Sequence, residues 1–387
     1  MYLHRLTLTH FRNYASQEFE LAPGPVLLLG ENAQGKTNVL EAVALLATGR
    51  SERTASDADL IAWDARDDAQ PFARVSAAAS RAAGDVGVEM TVVGRAGVHG
   101  LIASKRLKLN GVPKRASDVV GAITAVLFTT DDMELVRGSP SARRRYLDVM
   151  LSQADRRYLL ALQRYTKVVT QRNALLKRIQ DNLAQPHELT YWDEELAKDG
   201  AIIVTTRAAA VAQLSVAAAI SHAHLSGERE VLALAYAPRF SDAWPPDRIA
   251  SCDAADVSGA LLDKLQATHA RDIAAGVTLS GPHRDDLTML LGGEPASTFA
   301  SRGQQRTAAL ALRLAEARFL HERNGERPIL LLDDVLSELD ESRRRSVLAV
   351  LDADQVLITS PDPDRFDAAF AARAQIWRIT SGTATRA

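Results

Sequence analysis

The chain has 387 residues, and a single hydrophobic core stops growing at about 250–300 residues, so two or more domains are expected. A hydrophobic content of 47% is that of an ordinary globular protein. The net charge of −2 favours neither binding nor exclusion of nucleic acid as a bulk property. The one cysteine, Cys252, excludes an internal disulfide framework and a cysteine-based zinc site, and it fits a reducing, cytoplasmic location.

The distribution of apolar residues argues against a secreted or membrane protein. Residues 1–5 lack the apolar core of a signal peptide. The longest stretch of low charge, 208–223, contains Gln213, Ser221 and His222. We expect it to be too short and too polar to span a membrane.

The first predicted strands lead into a phosphate-binding loop. After alternating residues at 6–9 and an apolar run at 26–29, residues 30–37 read Gly-Glu-Asn-Ala-Gln-Gly-Lys-Thr, which matches G-x-x-x-x-G-K-[ST]. The glycines let backbone N–H groups approach phosphate oxygens, and the helix that follows attracts the same anion. Lys36 would reach the β- and γ-phosphates and Thr37 would bind Mg²⁺. A chance Gly-rich turn is disfavoured by the flanking strand and helix, so the sequence predicts binding of a nucleoside triphosphate.

Further strands are predicted at 73–77, 87–93 and 105–109. The last one runs into Asn110-Gly111, a signal for a type I′ hairpin, so the return strand begins at Val112. We expect these strands to form an antiparallel layer beside the nucleotide-binding sheet.

From 141 to 223 the apolar spacing becomes helical, with a break at Gln185-Pro186 and a new start at Trp192. Between 137 and 178 there are eleven Lys or Arg and two Asp or Glu, an excess of nine positive charges. Such a field suits a DNA backbone, although a solvated basic helix face is the alternative. A second candidate surface flanks the predicted hairpin and consists of Lys105, Arg106, Lys108, Lys114 and Arg115.

Strand and helix alternation returns near Val277, and a long helix is predicted at 307–321. The segment before it contains Ser301-Arg302-Gly303-Gln304. Ser301 can cap the helix and Gly303 permits close backbone approach, so this helix start could receive a γ-phosphate. Taken by itself, the segment favours an ordinary capped helix.

Residues 329–334 read Ile-Leu-Leu-Leu-Asp-Asp, an apolar strand that ends in two carboxylates. Asp333 is expected to hold the Mg²⁺ shell and Asp334 to orient or activate the attacking water. The alternative is an N-cap for the next helix. Agreement with the loop at 30–37 favours the catalytic interpretation.

The order of these elements resembles the ABC-type ATPase head of SMC-like DNA repair proteins, in which Ser-x-Gly-Gln is a signature motif that binds the γ-phosphate held by the other subunit. Three segments are closer still to the RecF family of bacterial recombination mediators: Phe11-Arg12-Asn13-Tyr14, Gly281-Pro282-His283-Arg284-Asp285 and Ser301-Arg302-Gly303-Gln304. The similarity extends over essentially the whole chain.

The resemblance implies an α/β fold: an ABC-type ATPase head with a P-loop sheet, an antiparallel β layer and a mainly helical inserted lobe. The implied division is 1–140 for the N-terminal half of the head, 141–270 for the helical lobe as the DNA-binding candidate, and 271–387 for the C-terminal half. The C-terminal half, 271–387, carries the signature motif, the Asp-Asp strand and a D-loop at 337–340.

The implied function is an ATP-dependent DNA-binding protein of recombinational repair, replication restart and the SOS response. A homodimer would close on ATP, bind single- or double-stranded DNA or a gapped junction, help load the recombinase, and open after slow, DNA-stimulated hydrolysis. A RecR mediator is the implied protein partner. Asp334 stands where Glu is usual, and Thr359-Ser360 stands where transporters carry a switch His; both differences fit slow hydrolysis.

The resemblance also implies a set of site residues. The cofactor-binding set for ATP is Arg12, Gly30, Asn32, Gly35, Lys36, Thr37, Asn38, Ser301, Gly303, Gln304 and Asp340. The catalytic set is Lys36, Asp333, Asp334 and Gln70, and the Mg²⁺ set is Thr37, Asp333 and Gln70. Gln70 would link metal and water, unless it is a surface glutamine before the strand that starts at Phe72. Asp340 would lie at the dimer seam, and His283 is expected to be a structural residue in a turn.

Two other classes share the ATP chemistry. The nucleotide-binding subunit of an ABC transporter is disfavoured by the basic helical insert and the missing switch His. A metabolic P-loop kinase would not explain the element at 301–304. Stimulation of ATP hydrolysis by DNA would distinguish the DNA repair ATPase from both of these classes.

Overall fold

The computed structural model describes residues 1–97, 100–227, 230–240, 244–338, 344, 347–348, 353–362, 365–366 and 368–387, with only the backbone described at Pro246 and Glu338. The chain divides into two compact units. Unit 1 comprises Met1–Asp131 and Glu316–Ala387, and unit 2 comprises Asp132–Ala315. Unit 2 therefore holds the helical region together with the segment 301–304, whereas the division at 140 and 270 expected from the sequence stays a prediction.

The strands are β1 (Tyr2–Phe11), β2 (Tyr14–Glu20), β3 (Gly24–Leu29), β4 (Phe72–Ser80), β5 (Val86–Gly97), β6 (Gly100–Leu109), β7 (Val112–Lys114), β8 (Ala125–Thr129), β9 (Leu232–Ala237), β10 (Asp286–Leu291), β11 (Glu294–Pro295), β12 (Ile329–Asp333), β13 (Gln355–Ser360), β14 (Gln375–Thr380) and β15 (Thr383–Arg386). The helices are α1 (Lys36–Thr48), α2 (Ala116–Val119), α3 (Met133–Arg137), α4 (Pro140–Ala154), α5 (Arg156–Gln180), α6 (Leu189–Ser226), α7 (Pro246–Ser251), α8 (Ala254–Ala267), α9 (His269–Ala275), α10 (Ala296–Phe299), α11 (Arg302–Asn324) and α12 (Ala368–Arg373).

The first sheet of unit 1 has the order β15-β14-β3-β13-β12-β8, and all neighbours are parallel except β14 and β15. The central strands β3, β13 and β12 are mostly apolar and almost wholly buried, as expected of a parallel sheet covered on both faces. Because their carboxyl ends lie at the same edge, the chain segments that follow them converge there. Thr359 and Ser360 end β13, and two further strands, β14 and β15, follow along the chain.

The second sheet of unit 1 is the predicted antiparallel layer, with the order β2-β1-β4-β5-β6-β7. Buried and less buried residues alternate along β4 and β5, so one face of each strand enters the core. The predicted hairpin joins β6 to β7, and Asn110 (φ 51°) and Gly111 (φ 79°) both take the positive φ of a type I′ turn. The buried face of this sheet shares one hydrophobic core with α1.

Unit 2 is built on the helices α4, α5 and α6 and a small antiparallel sheet of order β11-β10-β9. The predicted helical region is confirmed, although α6 begins three residues before Trp192 and runs for 38 residues. Together with the short turn before it, this helix is long and apolar enough to cross a membrane, which corrects the expectation made for 208–223. Of its most apolar window, 56% is buried inside the structure, as in the core helix of a globular protein.

Candidate nucleotide-binding site

The phosphate-binding loop joins β3 to α1 and is shaped by close packing of backbone. A Cβ on Gly30 would lie 2.3 Å from the carbonyl oxygen of Ile379, and one on Gly35 (φ 115°) would lie 2.6 Å from the amide of Asn13. Only glycine fits these positions. Lys36 Nζ donates to the carbonyl oxygens of Gly30 (2.6 Å) and Glu31 (2.7 Å). Burial lowers the pKa of Lys36, against the attraction of the two acids at the end of β12.

Thr37, Asp333 and Thr359 come from three different segments and meet at the carboxyl edge of the parallel sheet. The hydroxyls of Thr37 (2.8 Å) and Thr359 (2.9 Å) both donate to Asp333 Oδ1. Burial raises the pKa of Asp333, while these two hydrogen bonds oppose the rise. Thr359 Oγ1 also accepts from the backbone N–H of Asp334 at 2.9 Å, so one side chain positions both acids.

Asp334 has a strained backbone, with φ at 54° in the left-handed region that non-glycine residues rarely adopt. Ser337 donates to its carbonyl oxygen from both the hydroxyl (2.6 Å) and the backbone N–H (3.2 Å). The carboxylate atom Oδ1 is buried and, among the residues that the structure describes, has no hydrogen-bond partner. That atom does not cap the following turn. A buried acceptor without a partner is costly, and a water or a cation could satisfy it.

Glu41 is a buried carboxylate on α1, one helical turn after Thr37, and it binds two arginines. Arg12, at φ 56°, donates to both carboxylate oxygens (2.6 and 3.0 Å), and Arg53 donates to Oε2 (3.0 Å). Arg53 also donates to Asn38 Oδ1 at 2.7 Å. A buried carboxylate needs such partners, and in return it fixes the position of both guanidinium groups.

Two clefts open beside this network. The smaller, about 400 Å³, is lined by Thr37, Glu41, Arg53 and Asp333 among others. The larger, about 770 Å³, shares Arg53 and is also lined by Arg12, Asn38, Trp63 and Arg66. The Trp63 side chain is 77% exposed, and the Arg66 guanidinium lies over its ring, 4.0 Å from the centroid.

The remaining predicted residues of unit 1 are placed as follows. Asn32 is exposed in the phosphate-binding loop, and Gln70 is exposed in a bend two residues before β4. Neither is among the side chains that line the two clefts. Asp340 lies outside the described residues. The roles assigned to these three therefore stay predictions.

In unit 2, Ser301 caps α11 as predicted. Its hydroxyl accepts from the backbone N–H of Gln304 (3.3 Å), and Gln304 Oε1 accepts from the backbone N–H of Ser301 (2.6 Å), which makes a reciprocal capping box. Gly303 lies in the first turn, where its carbonyl accepts from Thr307 Oγ1 at 3.0 Å. The other end of the Gln304 amide donates to the carboxylate of Glu230.

The segment 281–285 makes buried contacts within unit 2 whose partners the sequence did not reveal. His283 lies in a short turn between Tyr165, whose hydroxyl is 2.7 Å from Nδ1, and the carbonyl oxygen of Thr278, 3.0 Å from Nε2. Asp285 is fully buried, accepts from the Tyr236 hydroxyl and has its pKa raised by burial. These contacts agree with the expectation of a structural histidine.

The basic surface predicted on the helices is smaller than the sequence count suggested. Arg172 is wholly buried between Asp193 and Asp272, at 2.8 Å from each. Arg143 is bound by Asp286 and Arg164 by Asp199. A buried guanidinium requires such carboxylates, so part of the predicted positive field is neutralised within unit 2.

Exposed basic side chains along α5 lie toward one side of that helix: Arg156, Arg157, Lys167, Lys177, Arg178 and Arg164, the last paired with Asp199. The second candidate surface is also partly neutralised, because Lys105 binds Asp57 and Lys108 binds Glu89, each at 2.8 Å.

Sequence reasoning missed four residues of the site in unit 1: Asn13, Glu41, Arg53 and Thr359. A signal existed for Glu41, since it is the one charged residue in the apolar stretch 39–47 of α1 and, four residues after Thr37, lies on the same face of the helix. No local pattern marks Arg53, whose partners are brought to it by tertiary packing. Asn13 donates to the carbonyl of Gln34 (2.9 Å) and accepts from Asn38 (2.8 Å), which ties the β1–β2 turn to the loop.

Comparison with known proteins identifies the family of this chain. The RecF/RecN/SMC N terminal domain family matches residues 2–384. The DNA replication and repair protein RecF of Chloroflexus aggregans is 42% identical over 99% of both chains, and that of Roseiflexus castenholzii is also 42% identical over 99% of both. The chain belongs to the RecF family. The resemblance proposed from the sequence is thus confirmed.

Solved structures support the same assignment. The recombination mediator protein RecF-ATP in the RecFOR pathway has a TM-score of 0.86 and 31% identity, and the match covers 100% of this chain and 97% of that one. An Smc head domain from Pyrococcus furiosus has a TM-score of 0.54 at 16% identity, which supports the fold alone. The predicted SMC-like ATPase head fold is therefore confirmed.

Proposed function

We propose that this chain is an ATP-binding protein of recombinational repair that uses the nucleotide as a switch for DNA binding. The observation that carries the proposal is the convergence of the phosphate-binding loop with Thr37, Asp333 and Thr359 at one sheet edge. A P-loop whose hydroxyl meets the acid at the end of a neighbouring strand is the arrangement that P-loop NTPases use for a metal-bound triphosphate. Family membership supports the same conclusion, because the solved structure of a related protein is that of RecF-ATP.

The donor atoms at this edge fit Mg²⁺. Thr37 Oγ1 and Asp333 Oδ1 are hard oxygen ligands, 2.8 Å apart, and Mg²⁺ typically takes few protein ligands beside phosphates and water. The ion would neutralise charge on the β- and γ-phosphates. The Oδ1 of Asp334, which is buried and has no hydrogen-bond partner in the part of the chain that the structure describes, is suited to hold the attacking water and accept its proton. Gln70 remains the proposed residue between metal and water.

The larger cleft is the proposed nucleoside subsite. Arg53 lines both clefts, so a triphosphate on Thr37 and Asp333 would lead directly into the cleft of Trp63. Arg66 covers one face of the indole, and at 77% exposure the ring offers a stacking surface for a base. Arg12, held by Glu41, would lie beside the nucleotide as the family resemblance implies.

The proposed switch is an ATP-dependent homodimer. Ser301, Gly303 and Gln304 would receive the γ-phosphate bound by a second copy, because a capped helix start attracts an anion. If ATP favours the dimer and the dimer favours DNA, then DNA must favour the ATP-bound dimer by the same factor. Slow hydrolysis would remove the bridging phosphate and open the dimer. Asp340 is proposed to lie at the dimer seam.

DNA contact is proposed for the exposed basic face of α5, since phosphate backbones are bound by such surfaces without base reading. Family analogy supplies the rest of the proposal. The DNA would be gapped or a junction, the protein partner would be a RecR mediator, the protein would be cytoplasmic, and DNA would stimulate ATP hydrolysis. The transporter alternative is not favoured, because the relatives that match the whole chain are RecF proteins.

The proposal is tested by sedimentation velocity on Asp334→Asn, which should bind ATP without turning it over. The protein is run alone, with ATP, with gapped duplex, and with both. We expect a dimer with ATP that DNA strengthens, and Ser301→Arg, which blocks the helix start, should abolish the dimer without abolishing ATP binding. A protein that binds ATP yet stays monomeric and ignores DNA would refute the switch.

A further inference from the structure

The Gln304 side chain is held at both ends within unit 2. Its Oε1 accepts from the backbone N–H of Ser301 at 2.6 Å, and its Nε2 donates to Glu230 Oε1. The backbone of Glu230 is itself anchored, because its carbonyl oxygen is 3.2 Å from Nδ1 of His222 on α6. The Gln304 side chain therefore joins the Glu230 carboxylate to Ser301, the capping residue of α11.

This placement has an electrostatic consequence. The start of a helix carries a partial positive charge, which attracts carboxylates and phosphates alike. Glu230 already lies in that field. A phosphate bound at Ser301 would lie near the Glu230 carboxylate. Two negative charges at short range repel each other appreciably unless water or salt screens them.

We propose that Glu230 is a resident anion that limits how tightly the Ser301–Gln304 segment binds the γ-phosphate of a nucleotide held by a second copy of this chain. The inference rests on the proposed ATP-dependent dimer and adds a residue that sets its affinity. The carboxylate orients the Gln304 amide and, through its charge, keeps the association weak enough to reverse. No residue of the signature motif itself supplies this repulsion, since Ser301, Gly303 and Gln304 are neutral and Arg302 is positively charged.

The test is Glu230→Gln in the Asp334→Asn protein. Glutamine keeps a carbonyl acceptor for Gln304 but removes the charge. Each dimer would contain two such sites, so a roughly threefold gain per site, as expected for one unit charge at short range in a solvated interface, gives about a tenfold lower dimer Kd with ATP. Equilibrium sedimentation at saturating ATP measures this Kd.

The matched control is Glu194→Gln, which removes an exposed carboxylate near the other end of α6, about 40 Å away along the helix axis. It should leave the dimer Kd unchanged. Because the proposed effect is Coulombic, the gap between Glu230→Gln and its parent should shrink as KCl rises from about 0.05 to 0.5 M. A packing change would not follow salt in this way.

The outcomes separate this inference from the proposed function. A parent that forms ATP-dependent dimers, with Glu230→Gln no tighter, overturns the role of Glu230 alone. The same holds if Glu230→Gln equals the parent while Glu230→Ala is weaker, since the hydrogen bond and not the charge would then matter. Absence of any ATP-dependent dimer in parent and variants overturns both.

Discussion

Protonation of His283 should destabilise unit 2 in mildly acidic solution. The carbonyl of Thr278 can only accept, so His283 Nε2 carries the proton, and Nδ1 accepts from the Tyr165 hydroxyl. The neutral ring thus satisfies both nitrogens. Burial lowers its pKa from 6.5 to about 4, and Arg284, Arg144 and Arg172 add to the effect while the bond to Thr278 opposes it. Protonation would turn Nδ1 into a donor, and it would then face the Tyr165 hydroxyl, which donates to Nδ1 of the neutral ring.

The sign and size of the effect follow from linkage. Between the unfolded value of 6.5 and the folded value of about 4, the unfolded chain binds the proton more strongly, so stability is lost as pH falls through this window. At about 1.4 kcal/mol per pKa unit, the full loss well below pH 4 is about 3.5 kcal/mol, of which about 3 kcal/mol is reached at pH 4 and about 2 kcal/mol at pH 5. Well above pH 6.5 the ring is neutral in both states, so His283 contributes no pH dependence there.

The assay is urea unfolding, followed by far-UV circular dichroism, at several pH values between 4.5 and 7.5, which brackets most of the window. His283→Gln keeps a donor toward Thr278 but cannot be protonated. The difference in unfolding free energy between wild type and His283→Gln should therefore move by about 2 kcal/mol in favour of the variant from pH 7 to 5.

His224→Gln is the control, because His224 is exposed on α6 in the same unit. The difference between wild type and this variant should stay nearly constant over the same pH range. Parallel pH profiles for wild type and His283→Gln would refute the assignment of a buried neutral His283.

Two further predictions concern ligands. Trp63→Ala should raise the Kd for ATP roughly tenfold, the value of one lost base-stacking contact, and leave the Kd for inorganic tripolyphosphate unchanged; equal losses for both ligands in calorimetry would place the base elsewhere. Arg157→Glu with Lys167→Glu should weaken DNA binding at least roughly tenfold and flatten its salt dependence while ATP binding is kept. Lys264→Glu with Arg271→Glu, a matched charge reversal elsewhere in unit 2, should change DNA binding far less in fluorescence anisotropy, and equal effects would remove the α5 face from the proposal.

The sequence determined the elements whose chemistry is local. The loop at 30–37, the hairpin turn at Asn110-Gly111 and the cap at Ser301 depend on residues within a few positions of each other. Their backbone and hydrogen-bonding requirements are therefore written in consecutive residues. The order of the motifs likewise predicted the fold. Because parallel strands bring their carboxyl ends to one edge of a sheet, the loop at 30–37 and the two acids at 333–334 were expected to meet there.

Tertiary structure alone decided which side chains complete the site and which charges are free. Thr359 bridges the two acids only because β13 lies between β3 and β12, and Glu41 holds Arg12 and Arg53 only after 1–60 has folded. Arg172 looked like a surface cation in the sequence, yet burial required it to pair with acids 21 and 100 residues away. Local sequence fixes backbone geometry, whereas the partners of a buried charge are chosen by desolvation, which acts only once the chain is packed.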